Sequence, residues 1–295
     1  MRKKEAEDKV IENAKYTVCL IDGETEKVAN YNIEPPGVFR GRGEHPHMGK
    51  VKSRVVPEYT SINIGFDNPI PPCPIPGHAW KKVTYNPEAT WLAHFKDEKN
   101  TYSSSNTGKY LFLAAESKLK GLNDQQKYER ARRLKACIEK VRADYMKLMA
   151  TDNQEMQQLG VATFFIDKLA LRVGNEKGED EADTVGCCSL RVEHVSVHDT
   201  QPKIIFDFLG KDSMRYYNEV DVPKPVHNIM LNCMFAPKNG ERVKKEPKDD
   251  LFDQINAGRL NDYLKTHMKD LSAKVFRTYN ASTVLEMQLS SKGKE

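Results

Sequence analysis

The spacing of apolar residues changes near Lys118, and this change constrains the fold more than any other feature of the chain. Before it, short runs of strand-forming residues alternate with turns, and clustered prolines, as in Pro69–Pro76, exclude long helices. After it, apolar residues recur every three or four positions, which is typical of amphipathic helices. The sequence therefore predicts an α+β protein with a β-rich domain at residues 1–117 and a mainly helical domain at residues 118–295.

Individual elements follow from the same patterns. In the first domain we expect an exposed helix over the first 15 residues and four strands: Tyr16–Ile21, Ser61–Phe66, Thr90–Phe95 and Lys109–Leu113. In the second we expect four helices: through Tyr128 to Leu148, from Asp152 to near Gly174, Leu251–Met268 and Leu271–Leu289. Three runs predict a three-stranded antiparallel sheet with Lys211 at a hairpin tip: Arg191–Val197, Lys203–Leu209 and Met214–Val220. The charged segment Pro237–Asp250 indicates an exposed loop.

The composition excludes several classes of protein. Hydrophobic residues make up 39% and charged residues 30% of the chain, a globular balance, and the net charge is only +4. No apolar run reaches the roughly 18–20 residues that a membrane span needs, so we expect no membrane partner. The six cysteines form no C-x-x-C pair and, with the histidines, no zinc-ligand spacing, which indicates a reducing compartment and no metal site.

Two segments concentrate positive charge. Between Val38 and Arg54 lie five basic residues and one acidic residue, with Arg40 and Arg42 set between glycines. Between Lys118 and Lys147, ten Lys or Arg residues face four Asp or Glu residues, a local charge of +6. Such clusters favour phosphate contacts through counterion release. A solvated loop and the polar side of an amphipathic helix are the respective alternatives.

Three further cations stand beside apolar stretches. Arg172 and Arg277 each follow an apolar helical pattern, and Lys211 lies in the turn between two predicted strands. A charge in such a place must be paired or functional if it is buried. From the residues alone, an arginine that reaches solvent from a helix face, or pairs with a nearby Glu, is the favoured explanation for any single one of these residues.

Several long and unusual blocks resemble one family. PPGVFRGRGEHPHMG, KYERARRLKACI, FIDKLALRVGNEK, DTVGCCSLRVEH, FDFLGKDSMRYYN and AKVFRTYNAS are similar, in the same order, to the core of eukaryotic type IB DNA topoisomerases. The resemblance covers most of the chain, from about Tyr16 to Gln288. It implies part of the upper lobe of a clamp around duplex DNA at residues 1–117 and, at 118–295, a catalytic lobe whose fold tyrosine recombinases share.

The resemblance also implies chemistry. The family cleaves one DNA strand with a tyrosine, forms a 3′-phosphotyrosine and reseals the strand without ATP, metal or another cofactor. By their matching blocks, Arg172 and Arg277 should bind the non-bridging phosphate oxygens, and Lys211 should protonate the leaving 5′ oxygen. The remaining matches are DNA-binding positions, with Asp212 in the family's inhibitor pocket: Arg42, Trp91, Lys109, Tyr110, Lys118, Lys120, Lys127, Val173, Gly174, Asn175, Glu176, Lys177, Thr184, Asp212, Asn261, Ser272, Ala273 and Lys274.

The family's nucleophilic tyrosine and catalytic histidine match nothing in these 295 residues. Tyr279, Tyr216 and Tyr217 lie outside the family's nucleophile block. The implied partners are therefore double-stranded DNA and a tyrosine-bearing C-terminal domain or small subunit, as in the two-subunit trypanosomatid enzymes. We expect a nuclear protein, or also a kinetoplast or mitochondrial one if trypanosomatid. A tyrosine recombinase and a DNA clamp without chemistry are the alternatives.

Overall fold

The computed structural model describes residues 17–30, 36–52, 54–73, 75–96, 108–178, 181–238 and 241–292. The chain forms two compact units, the first ending at Gln125 and the second beginning at Gln126, while Glu181 belongs to the first. The predicted domain boundary between residues 117 and 118 stays a prediction. The helix predicted for the first 15 residues lies outside the described part of the chain.

Small sheets make up the first unit. A mixed four-stranded sheet has the order β6-β5-β7-β8, in which only the pairing of β5 with β6 is parallel, and two antiparallel pairs, β1-β2 and β3-β4, accompany it. The strands are β1 (Val18–Ile21), β2 (Glu24–Lys27), β3 (Gly37–Val38), β4 (Val51–Lys52), β5 (Thr60–Asn63), β6 (Lys82–Thr84), β7 (Trp91–Phe95) and β8 (Lys109–Phe112). All four predicted strands are present in shortened or shifted form, although Tyr16 lies outside the described residues.

The second unit is mainly helical. Its elements are α1 (Lys118–Met149), which begins in the first unit, α2 (Gln154–Leu169), β9 (Val195–Val197), β10 (Lys203–Leu209), β11 (Arg215–Asp221), α3 (Lys224–Cys233), β12 (Phe235–Lys238), β13 (Glu241–Lys244), α4 (Ala257–His267) and α5 (Ala273–Lys292). Strand β10 pairs antiparallel with β9 on one side and β11 on the other. The α+β class and the three-stranded antiparallel sheet are therefore confirmed.

Helix α2 runs through the core of this unit. Its side chains from Gln158 to Asp167 are all buried, as expected of a helix that other elements surround. Helix α1 turns one apolar stripe inward, in which Leu134 and Val141 are fully buried, and this confirms the predicted periodicity. Tyr128, which we expected in that stripe, is instead 50% exposed.

Three predicted element boundaries are wrong, because the backbone amides concerned have other partners or the chain turns earlier than the pattern indicates. Only the last three residues of the run Arg191–Val197 form a strand, which is β9. Before them, the His194 ring accepts a hydrogen bond from the Arg191 amide and closes a short turn. The helix predicted to begin at Leu251 begins instead at Ala257. The amide of Leu251 is bound to the Leu190 carbonyl, and the amide of Gln254 to the Gln158 side chain, at 2.8 and 3.0 Å. The second helix ends at Leu169, before the predicted stop near Gly174.

The loop predicted at Pro237–Asp250 is wrong in part, because β12 and β13 form an antiparallel hairpin there. Helix α3 was not predicted; Pro223 and Pro225 lie at its beginning, where proline is compatible with the first helical turn. Within the described residues, none of the helices combines the length and the apolar character needed to cross a membrane.

Candidate functional site

Arg172 lies on an extended segment that leaves α2 through a left-handed turn. Ala170, which follows the last helical residue, has φ 52° and ψ 32°, and Arg172 is exposed two residues later. The carbonyls of Arg172 and Val173 accept the amides of Cys187 and Cys188, at 2.8 and 2.7 Å. This segment is therefore fixed by its main chain while the Arg172 side chain faces solvent.

Lys211 lies, exposed, in the turn between β10 and β11. The turn is closed by the bond from the Gly210 amide to the Met214 carbonyl, at 2.8 Å, which confirms the predicted hairpin tip. Just before it, the Leu209 carbonyl accepts the amide of Val185 at 2.9 Å. Val185 and Cys187 are two residues apart, which is at most about 7 Å of chain. Because Val185 binds the strand that leads to Lys211 and Cys187 binds Arg172, this short segment holds the Lys211 turn beside the Arg172 segment.

Arg277 approaches the same place from α5. Its Nη1 donates to the carbonyl of Ala170 at 2.7 Å. Ala170 precedes Arg172 by two residues, so this bond holds the Arg277 guanidinium close to the Arg172 segment. Partial burial, and then the positive charge of Arg172, lower the pKa of Arg277. A guanidinium still remains charged near neutral pH. The structure therefore brings together two arginines whose positive charges repel each other.

None of the three cations has a carboxylate partner among the described residues. Four other arginines of the second unit each form an ion pair of 2.6 to 3.0 Å: Arg142 with Asp167, Arg191 with Asp183, Arg215 with Asp207 and Arg259 with Glu155. The pairing alternative that the sequence left open for Arg172 and Arg277 is therefore not supported.

Backbone strain in the second unit is concentrated next to these cations. Among its described non-glycine residues, only Ala170, Asp212 and Ser213 have a left-handed backbone, with φ of 52°, 66° and 59°. Ala170 precedes Arg172 by two residues, and the other two directly follow Lys211. Such conformations cost about 1–2 kcal/mol for each residue and persist where the surroundings enforce them, which is common at functional sites.

Two glycines allow the Arg172 segment to lie against its neighbour. A Cβ on Gly186 would lie 2.5 Å from the Cα and the nitrogen of Gly174 and 2.8 Å from the Arg172 carbonyl oxygen. A Cβ on Gly174 would lie 2.7 Å from the Cα of Gly186, and the φ of Gly174 is +78°. Only glycine fits at either position.

We expect the substitution Gly186→Ala to lower the free energy of unfolding by about 1–3 kcal/mol, because backbone atoms must move apart to admit the methyl group. Urea denaturation measures the change. Gly121→Ala is the matched control, because nothing lies within 4 Å of its added Cβ in α1 and alanine favours the helix. Equal stability of the Gly186 variant and the wild type would contradict the close packing.

The segment before Gly186 carries predicted DNA contacts and is fixed by hydrogen bonds and by one ion pair. Lys177 Nζ donates to the Thr184 hydroxyl and to the Ala182 carbonyl. Asp183, which lies between Ala182 and Thr184 in the chain, accepts two hydrogen bonds from Arg191, at 2.9 and 2.7 Å. This contact lowers the pKa of the Asp183 carboxyl. Lys177 thus donates to two neutral oxygens, and its charge also helps to lower the pKa of the Asp183 carboxyl.

Other predicted contacts surround the beginning of α5. Asn261 accepts the amide of Ala273 at 3.1 Å, so its side chain caps this helix. Ser272 is half-buried, Ala273 is buried and Lys274 is exposed. The amino end of a helix favours anions, and an exposed lysine adds to that preference. Three more predicted contacts in this unit are exposed on its surface: Lys127, Asn175 and Glu176.

The first unit holds the remaining predicted contacts. Its glycine-rich loop is anchored by Phe39 and His47, which are 8% and 2% exposed, whereas Arg40 and Arg42 are exposed. On β8, Tyr110 stacks on His94 of β7, with 4.3 Å between ring centroids. Trp91 and Lys109 are half-buried, Lys118 pairs with Glu24, and Lys120 is exposed.

Sequence reasoning missed the residues that support the site. Ala170, Gly186 and Asn280 carry no charge, and their roles depend on partners far along the chain. The stacking of His94 and Phe112 on Tyr110 was also missed, although the alternation of aromatic residues in β8 was a usable signal. Among the described residues, no group of three His, Cys, Asp or Glu side chains could hold a metal ion.

Comparison with known proteins identifies the same segments. The family model for the catalytic core of eukaryotic DNA topoisomerase I matches residues 116–295, and that for its DNA-binding fragment matches residues 1–113. The chain is 49% identical to DNA topoisomerase 1 of Candidozyma auris and 48% to that of Homo sapiens, over 291 residues in each case. DNA topoisomerase 1 beta of Arabidopsis thaliana is 47% identical over 289 residues.

These alignments cover 97 to 98% of this chain but only 36% of the Candidozyma and human proteins and 30% of the Arabidopsis protein. The chain thus spans about a third of the length of the relatives it matches. Both family models and the relatives agree with the blocks from which the resemblance was drawn. The chain belongs to the eukaryotic DNA topoisomerase I family.

Proposed function

We propose that this chain supplies the phosphate-binding and proton-donating groups of a type IB DNA topoisomerase. The observation that carries the proposal is the convergence of Arg172, Lys211 and Arg277 without a described carboxylate partner. The names of the relatives support it, since each is called a DNA topoisomerase 1. The same names do not favour a recombinase or a clamp without chemistry.

In the proposed reaction, a tyrosine hydroxyl releases its proton to water and its oxygen attacks a phosphorus atom of duplex DNA. The bond from phosphorus to the 5′ oxygen breaks, Lys211 gives that oxygen a proton, and a 3′-phosphotyrosine forms. After the free end rotates, the 5′ hydroxyl attacks the phosphorus, its proton returns to Lys211, and the tyrosine leaves and regains a proton from water. The bond energy stays in the phosphotyrosine, so the cycle consumes no ATP.

Arg172 and Arg277 suit the pentacoordinate transition state, whose phosphate oxygens carry more negative charge than the ground state. Each guanidinium offers a rigid fork of N–H donors that matches two oxygens. Arg277 uses one nitrogen on Ala170 and keeps the others for the phosphate. Donors fixed in advance on developing charge each contribute about 3–4 kcal/mol in well-studied enzymes.

The other predicted positions would hold double-stranded DNA without reading much sequence, because backbone contacts position a duplex and base contacts specify it. Lys177, Thr184, Lys274 and the amino end of α5 would contact phosphates near the cleaved bond, and Asp212 would lie beside it. Arg42 would contact the minor groove. A tyrosine-bearing domain or small subunit would complete the site, together with the family's histidine. The nucleus is the compartment that this function implies.

We expect the native protein that contains these 295 residues to relax negatively supercoiled plasmid in EDTA, because the proposed chemistry uses protein cations alone. Agarose gel electrophoresis of plasmid topoisomers measures the relaxation. An absolute requirement for Mg²⁺ or ATP would refute the mechanism. Strand exchange confined to one DNA sequence would instead support a recombinase, and retarded migration of plasmid without relaxation would support a clamp.

A further inference from the structure

Helix α5 presents two donors, one turn apart, to the end of α2. Arg277 Nη1 donates to the Ala170 carbonyl at 2.7 Å, and Asn280 Nδ2 donates to the Asp167 carbonyl at 2.6 Å. Residues three apart lie on the same helix face. The last carbonyls of a helix have no partner within it, so these side chains satisfy groups that α2 leaves open. The mechanism uses Arg277 but gives Asn280 no role.

The atom that Asn280 binds belongs to a firmly held residue. The side chain of Asp167 is fully buried, and it accepts from Arg142 Nε and Nη2, at 3.0 and 3.2 Å, and from the Tyr145 hydroxyl at 3.0 Å. Its carboxylate therefore ties α2 to α1, while its carbonyl ties α2 to α5. Asn280 anchors α5 at a point that has little freedom to move.

Both phosphate-binding arginines depend on this anchor. Arg277 lies one turn before Asn280 on α5, and Arg172 follows the left-handed Ala170 at the end of α2. Buried side chains such as Phe276 and Tyr279 pack α5 against the core, and the two hydrogen bonds one turn apart add a polar link that aligns this face of α5 with the end of α2.

We propose that Asn280 is a positioning residue, which sets the spacing between the guanidinium groups of Arg172 and Arg277 by fixing α5 to the Asp167 carbonyl. This role rests on the proposed function. Asn280 touches no reacting atom and acts through Arg277. A displacement of about 1 Å at a reacting centre is enough to slow an enzyme about 100-fold.

The test compares Asn280→Asp and Asn280→Ala with Ser282→Ala in the native protein. The aspartate keeps the shape but has no N–H to donate, the alanine removes the donor without adding charge, and Ser282 is exposed two residues along the same helix. With a short DNA duplex, we expect single-turnover cleavage by both Asn280 variants to fall about 10- to 100-fold. DNA affinity should stay within about threefold, and Ser282→Ala should match the wild type.

A double variant separates positioning from a general structural role. If Asn280 acts through Arg277, the variant Asn280→Ala with Arg277→Ala should cleave no more slowly than Arg277→Ala alone. Multiplied losses, or cleavage by both Asn280 variants at the rate of Ser282→Ala, would overturn the proposal. Failure of the unaltered protein to cleave DNA would instead overturn the proposed function, so the two failures are distinguishable.

Discussion

Replacing Arg172 or Arg277 with alanine is expected to slow DNA cleavage by about 10²- to 10³-fold while DNA affinity changes little. Each arginine would contact oxygens whose charge grows in the transition state, so its loss weakens the transition state more than the bound ground state. Many other positions share the binding of the DNA backbone. Single-turnover cleavage of a labelled duplex and fluorescence anisotropy measure the two quantities separately.

Arg242→Ala is the matched control for these substitutions. Arg242 is exposed on β13 and donates to Asn232, so its loss also removes one guanidinium from the second unit. We expect this variant to cleave DNA at the wild-type rate. If affinity and cleavage fell by the same factor in the Arg172 and Arg277 variants, both residues would be ordinary phosphate contacts.

The substitution with the largest expected effect on stability is Asp167→Asn. The amide keeps the shape of the buried side chain but leaves Arg142 and Tyr145 facing a neutral group. Breaking a buried ion pair costs about 3–5 kcal/mol. We expect the free energy of unfolding to fall by about 3 kcal/mol, the lower end of this range. The reason is that Arg142 keeps its bond to Glu139 and that its side chain is 27% exposed.

Urea denaturation of the 295-residue chain measures this change, with Asp262→Asn as the control. Asp262 pairs with Lys265 one turn away on the exposed side of α4, and exposed pairs contribute about 0–1 kcal/mol. Similar losses of stability in the two variants would show that the contacts of Asp167 with Arg142 and Tyr145 do not hold α1 and α2 together.

The burial of the Tyr145 hydroxyl, and then the charge of Asp167, raise the pKa of Tyr145, so it stays a hydrogen-bond donor at neutral pH.

The elements that could be predicted are those whose signal lies within a short stretch of sequence. The stripe of α1 and the hairpin that holds Lys211 are examples, because spacing of three or four residues and a turn between two strands are visible in the sequence. The boundary at Ala257 was not predictable in this way. Leu251 and Gln254 belong to a segment whose pattern favours a helix, but their amides are bound by Leu190 and Gln158, far away along the chain.

The site shows the same limit more strongly. Sequence blocks indicated Arg172, Lys211 and Arg277, but the contacts that gather them are non-local. The bond of Arg277 to Ala170 spans 107 residues, and the close packing of Gly174 on Gly186 depends on two backbones that no periodicity relates. The residues of the site could therefore be predicted from the sequence, whereas the contacts that bring them together could not.

The bond from Arg277 to the Ala170 carbonyl has a thermodynamic consequence for phosphate binding. A free arginine side chain carries about 2 kcal/mol of rotamer entropy, which it loses when it grips an anion. The Arg277 guanidinium is already held at 2.7 Å and partly withdrawn from water, so folding has removed much of that freedom before DNA arrives. Arg172 is exposed and has no such bond among the described residues. Arg172 should therefore account for most of the side-chain entropy that the two arginines lose when they bind a phosphate.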